Sequence, residues 1–354
     1  MRCDSFDLHD IRQAHRIGLA FVRRAFSLVE LLVAIMIIGL LAAILIPAIQ
    51  STRESARRTA CINNVRQVCI AVELHENSLG FYPASFRSPS TANFSQGSVD
   101  GWSAHVMLLP FLEQEVTRDR IDLNRTFDEN FAPVVNVKEG TKPISAIRVP
   151  VYLCPSELRD EVRVEDGQDR HYPVNYGVSL GTWFVFDPVT GEGGNGSFFP
   201  NSELQSKHFI DGMSNTMMLG EVRAWQPYFR NASVSERMAI PETAKQLCDL
   251  GGAEFKTESG HTEWVDGRSH QTGFTTTFPP NTTVKCVQSG TEYDIDWTNQ
   301  QEGKSPNVPT FASVTARSYH PGLVVVGMMD GSVKAVADSV DLLVWRAMST
   351  RDQD

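Results

Sequence analysis

From residue 26 to residue 49 the chain is apolar at nearly every position, with Ser27 and Glu30 the strongly polar exceptions. A helix needs about 20 apolar residues to cross a bilayer. The run therefore predicts a membrane-spanning helix with some tilt. Helices in soluble cores seldom extend this far without a polar interruption. Beyond it the pattern changes. Cys61, Val65, Val68, Cys69 and Val72 recur at spacings of three and four, while Arg57, Arg58, Asn64, Arg66 and Gln67 fall on the other face. These spacings predict an amphipathic continuation over residues 50–79 whose stripe packs on a sheet. Asn77, Ser78 and Gly80 supply its stop signal.

From Gly80 onward, short apolar runs alternate with Gly, Pro, Ser and aromatic residues, as in short strands joined by many loops. Residues 102–114 read as a short helix. Residues 149–155, Val-Pro-Val-Tyr-Leu-Cys-Pro, read as an extended strand ending in a turn. Residues 174–186 and 217–222 read as strands, and the tail 341–351 has helical spacing. The stretch 226–312 is poor in periodic signal and reads as a loop-rich insertion. The expected fold is α+β: a long N-terminal helix packed on an antiparallel β-sheet head with loop-rich insertions. The expected organisation is a leader over 1–25, a transmembrane helix over 26–49, its extramembrane continuation over 50–79, and a globular head over 80–354.

Charge refines this picture. The first 25 residues hold five Arg and three Asp; without them 27 bases face 39 acids, a net charge of -12. An acidic surface with no basic patch argues against a nucleic-acid partner. Arg12, Arg16, Arg23 and Arg24 precede the apolar run and favour a cytoplasmic N-terminus. Arg53, Arg57 and Arg58 follow it and weaken that asymmetry, so orientation rests on the leader type as well.

Arg23-Arg24-Ala25-Phe26-Ser27-Leu28-Val29-Glu30 resembles the cleavage and methylation signal of type IV prepilins and pseudopilins. That resemblance implies a cut between Ala25 and Phe26 by prepilin peptidase, followed by N-methylation of Phe26. Ala25 stands where the family usually has Gly. A carboxylate inside an apolar helix costs roughly 2.5–3.5 kcal/mol on insertion scales. The resemblance implies that Glu30 pairs with the amino terminus of a neighbouring subunit and so sets filament register. The other reading of Glu30, one turn from the helix start, is a carboxylate that snorkels to the interface. Pro47 matches a proline common in pilin helices, and it removes one backbone donor.

In the head, Ser318-Tyr-His-Pro-Gly leads through an apolar run to Asp330-Gly331, with nine residues between His320 and Asp330. This resembles the H-x9-DG signature of a large uncharacterised bacterial prepilin-associated family. Further matches lie along the chain: Cys61-Ile-Asn-Asn-Val-Arg-Gln, Leu109-Pro-Phe-Leu-Glu-Gln, Leu153-Cys-Pro-Ser, Asn175-Tyr-Gly, Asp211-Gly-Met-Ser-Asn-Thr and Gly220-Glu221. Physically, Asp330-Gly331 between apolar runs predicts a hairpin with a type I′ turn. A straight strand from His320 to Asp330 would hold the two about 33 Å apart. Structural, catalytic or metal, and subunit-recognition roles all stay open for the motif. Asp211-Gly212 lacks the alternating acids of a calcium loop, and a turn whose side chains bond the backbone is expected.

Six cysteines include Cys3 in the leader and no CxxC pair, which argues against a zinc or thioredoxin-like site. Five remain after cleavage, so at most two disulfides form. Cys61 and Cys154 lie in family-like motifs, which makes a bond between helix and head a candidate. Cys248 and Cys286 are candidates for closing the insertion. Connectivity is not readable from one sequence.

Three functions follow. The first is a non-enzymatic pseudopilin or minor-pilin-like subunit of a type II secretion or type IV pilus-like system. It would sit in the inner membrane with a periplasmic head, in contact with lipid, prepilin peptidase and other pilin-like subunits. The second is an anchored monomeric binding module. The third is an anchored hydrolase using His320 with Asp330 or Glu221, but no nucleophile elbow, P-loop or HExxH supports it. No cofactor and no metal is expected.

Overall fold

A computed structural model describes residues 27–89, 99–127, 134–137, 140–232 and 238–352. By contacts the chain divides into two units, Met1–Thr52 and Arg53–Asp354. The expected cut between Ala25 and Phe26, and Cys3, lie outside the described residues.

One helix, Leu28–Leu79, opens the described chain, and Pro47 lies inside it. Within the first unit its large apolar side chains, Leu28 through Ile49, are exposed. It is long and apolar enough to cross a membrane, and none of its apolar stretch is buried. Its first turn is closed by two side-chain caps. The Ser27 hydroxyl accepts from the Val29 amide at 3.3 Å, and the Glu30 carboxylate accepts from the Ser27 amide at 2.9 Å.

In the second unit the same helix buries the predicted stripe, Cys61, Val65, Val68, Cys69 and Val72, together with Ala71 and His75. It ends at Leu79, where Gly80 adopts φ +84° and donates to the Glu76 carbonyl at 2.7 Å. The stripe joins one hydrophobic core with a five-stranded sheet. That sheet runs in the order Gly273–Phe274, Tyr176–Ser179, Met217–Glu221, Leu323–Met328, Val333–Ala337. All its pairings are antiparallel except that of Gly273–Phe274 with Tyr176–Ser179. Helix and sheet approach closely at Gly327, where a Cβ would stand 2.3 Å from Cys69 Sγ. Only glycine leaves room there.

The second sheet runs Glu254–Gly260, Gln226–Arg230, Asp296–Thr298, Thr310–Ser313, Phe184–Phe186, with one parallel pairing, Gln226–Arg230 with Asp296–Thr298. A separate core lies about it, in which Trp183 and Trp297 stack at 5.4 Å. The 226–312 stretch thus carries long irregular connections and also most of this sheet. Its strands run three to seven residues and bury polar side chains such as Asp296 and Thr298, so apolar alternation does not mark them.

Local differences from the sequence reading have simple causes. Residues 149–155 hold a 3-10 turn, Pro150–Tyr152, rather than a strand. The fixed φ of Pro150 suits the first helical position. Residues 102–114 divide into a strand Trp102–Ser103, a helix Ala104–Leu108 capped by Ser103, and a 3-10 turn Leu109–Leu112 that begins at the residue before Pro110. The tail helix Leu342–Ala347 is capped by Asp341.

A dense buried ionic group fixes the 99–103 and 263–304 segments. Arg268 pairs with Asp100 and with Asp266, and donates to the Glu302 carbonyl at 3.1 Å. The Glu302 carboxylate accepts from the Ser269 amide at 3.2 Å. Burial pushes its pKa up to about 7. The folded state then holds a proton that the unfolded chain releases near 4.5, so stability falls as pH rises from about 5 to about 7. Glu302→Gln removes that titration. Its stability relative to wild type should rise by roughly 1–3 kcal/mol across the window. Urea unfolding of both proteins at pH 5 and pH 8 checks this, and parallel pH profiles would refute it.

Candidate functional site

Several of the separately weak motifs converge at one buried place. Glu54 and Cys61 are seven residues apart on the helix, two turns, and therefore share a face. Glu221 ends the central strand Met217–Glu221 and is buried. Its Oε2 accepts from the Val325 amide at 2.7 Å. Cys154 follows the Pro150–Tyr152 turn. Its amide donates to Asn175 Oδ1 at 3.1 Å, while Asn64 donates to the neighbouring Leu153 carbonyl at 2.8 Å. Asn175 also donates to Glu157 at 2.6 Å and to the Val222 carbonyl at 3.2 Å. Thus the motif residues Asn64 and Asn175 hold the backbone around Cys154.

His320 completes the cluster from the turn before Leu323–Met328. Its amide donates to the Ser318 hydroxyl at 3.0 Å, which itself donates to the Leu323 carbonyl at 2.7 Å. The imidazole is fully buried between two acids. Nδ1 stands 2.6 Å from Glu54 Oε1, and Nε2 stands 3.3 Å from Glu221 Oε1. Nε2 also lies 3.5 Å from Cys154 Sγ. Burial pulls the imidazole pKa down, but the carboxylates of Glu221 and Glu54 outweigh it and hold the pKa above the ordinary histidine value.

Cys61 and Cys154 form a disulfide within this cluster, closing a sequence separation of 93. Cys248 and Cys286 form the other, and Cys69 is a free buried thiol. Burial pushes the Cys69 pKa up to about 12, which makes it inert at neutral pH. One ligand-type atom from each of Cys61, Cys154, Glu221 and His320 lies within 4.8 Å of the others. No metal ligand is expected from the sequence, and Glu54 lies in none of its motifs. The available signal was helical periodicity, since Glu54 sits two turns before a motif cysteine.

The remaining motif residues lie elsewhere. Asp330 accepts from the amide and hydroxyl of Ser332 and so shapes a turn, rather than meeting His320. Gly331 adopts φ +77° and donates to the Met328 carbonyl, but Asp330 is not among the residues with positive φ. The turn is therefore not type I′, which needs positive φ at both central residues; it is a three-residue loop closed by a left-handed glycine. Gly212 likewise adopts φ +92°, and Asn215 donates to the Asp211 carbonyl at 2.9 Å, a turn bonded to its own backbone.

An apolar helix of bilayer length, a glutamate in its first turn and an α+β head define a membrane-anchored, prepilin-like chain. Residues 21–46 match the prokaryotic N-terminal methylation motif, the mark of processing by prepilin peptidase and of assembly with pilin-like subunits. Residues 50–343 match the family described as Protein of unknown function (DUF1559), and the chain belongs to that family. No curated protein and no solved structure matches this chain.

Proposed function

We propose that this chain is a pseudopilin or minor-pilin-like subunit of a type II secretion or type IV pilus-like system. In this reading it is anchored in the inner membrane, with its leader cytoplasmic and its head periplasmic. Its role is structural rather than enzymatic. The observation that carries the reading is the methylation motif at the start of an exposed, bilayer-length helix with Glu30 in its first turn. His320 is enclosed by Glu54, Glu221 and a disulfide, which favours a structural use of the motif over hydrolysis.

The N-terminal mass of the mature protein tests this. Cleavage after Ala25 with one methyl group on Phe26 is expected. An intact Met1 start, or a cut after Ala48, overturns the reading.

A second reading, an anchored monomeric binding module, is favoured by one cleft of about 480 Å³. Arg159 stacks over Trp225 at 3.8 Å there, and Arg223 over Tyr319 at 4.5 Å. Trp225 holds φ +61°, a conformation that bulky residues adopt at a cost and that clusters at ligand sites. Glu30→Ala separates the two readings, because assembly fails under the first and head binding persists under the second.

A further inference from the structure

We propose that Cys61, Cys154, Glu221 and His320 form a tetrahedral zinc-class metal site in the thiol form of this protein, the metal and the disulfide being alternative occupants of one place. The donor set, two sulfurs with one imidazole and one carboxylate, is of the kind zinc takes. Zinc bonds of about 2.3 Å to sulfur and about 2.0 Å to nitrogen or oxygen imply tetrahedral edges of about 3.5 Å for S–N and about 3.3 Å for N–O. The corresponding separations here are 3.5 Å between Cys154 Sγ and His320 Nε2, and 3.3 Å between His320 Nε2 and Glu221 Oε1. Two edges of the tetrahedron therefore already stand at coordination distance. What must open is the sulfur–sulfur bond.

The surroundings fit the same reading. Glu221 Oε1 is buried without a hydrogen bond of good geometry, and it points at the cluster. Glu54 takes the far side of the imidazole, at Nδ1. With the proton on Nδ1, Nε2 presents its lone pair to the site, the carboxylate–histidine arrangement that orients metal-bound imidazoles. Glu54 is thus a positioning residue, not a ligand. Cys154 lines a cleft of about 600 Å³ shared with Asn64, Gln67 and Arg148, which gives a reductant or an ion a way in.

The chemistry balances with a reductant. A phosphine and one water convert the Cys61–Cys154 bond into two thiols and a phosphine oxide. A divalent ion then displaces the two thiol protons and, where the imidazole is charged, the proton on His320 Nε2. Every newly made chain begins in this thiol state, before any disulfide forms.

The test uses full-length protein in detergent, with Cys3, Cys248 and Cys286 replaced by Ser so that only one disulfide is reducible, and wild type alongside. After phosphine reduction, Co²⁺ and then Zn²⁺ are titrated. One equivalent of Co²⁺ is expected in reduced protein only, with intense tetrahedral d–d bands and thiolate charge transfer. Bound Zn²⁺ should restore the thermal midpoint lost on reduction. His320→Ala and Glu221→Gln should each weaken affinity at least ten-fold, and Glu54→Gln by about 10–100-fold with the spectrum retained. Uptake that is absent in reduced protein, equal in oxidised protein, or unchanged in affinity and spectrum in His320→Ala overturns the proposal. The comparison of oxidised with reduced protein, made in both backgrounds, decides the matter even if His320→Ala or Glu221→Gln fails to fold.

Discussion

Glu30→Gln protein is expected to be processed, methylated and inserted like wild type, yet to lose at least ~100-fold in association with its neighbours. The carboxylate of Glu30 has one role in the single chain and a separable one under the proposed assembly. In the single chain it accepts the Ser27 amide and closes the helix start. A glutamine oxygen can still accept that bond, so the cap survives. In an assembly the charge would meet the amino terminus of a neighbouring subunit within lipid, and glutamine cannot form that ion pair. An unpaired carboxylate in an apolar helix costs roughly 2.5–3.5 kcal/mol, which converts at 1.4 kcal/mol per decade to about two orders of magnitude. Co-isolation of tagged and untagged copies from membranes measures the effect. Unimpaired co-isolation of the Gln variant would remove Glu30 from the assembly contact. Glu30→Ala should do worse, since it loses the cap as well, at about 1 kcal/mol of helix stability.

Arg317→Met should destabilise the head by about 3–5 kcal/mol at neutral pH. Arg317 is buried, pairs with Asp296, and reaches Asp294 Oδ1 at 3.1 Å and the Ile295 carbonyl at 3.3 Å. It therefore ties the segment before His320 to the Asp296–Thr298 strand. Asp296 is itself buried, and also accepts the Thr315 amide at 3.1 Å. Burial pushes the Asp296 carboxyl pKa up, but Arg317 and His261 more than offset this and hold it below its ordinary value. A carboxyl depressed in the folded state contributes stability above its unfolded pKa and loses it as pH falls through the folded value. Without Arg317 the same carboxylate becomes a buried, weakly compensated charge. The loss in the variant should therefore be larger at pH 7 than near pH 4. Urea unfolding at both values checks the sign, and an equal loss at the two would count against the ion-pair account.

How much of this was legible beforehand follows from the range of each interaction. Local patterns served well. The stripe from Cys61 to Val72 is buried as its spacing required, Gly80 ends the helix, and Asp341 starts the tail helix. Proline misled at Pro150, where an apolar run looked extended although the ring suits a first helical turn. At Asp330-Gly331 the hairpin was legible and the turn type was not, because Gly alone supplies the positive φ. The cluster around His320 was beyond reach. Its members come from residues 54, 61, 154, 221 and 320, and no periodicity links positions so far apart. The matches had marked four of the five singly, without indicating that they meet.

Gly327 has a mechanical consequence. Its missing side chain lets Cys69 and Val65 settle into the face of the Leu323–Met328 strand, and the Cys61–Cys154 bond rivets the same helix segment a little further along. A tug along the axis of residues 53–79 cannot slide this stave past the strand without lifting it out of the notch. Such a tug would also have to strain the disulfide that joins the helix to Cys154.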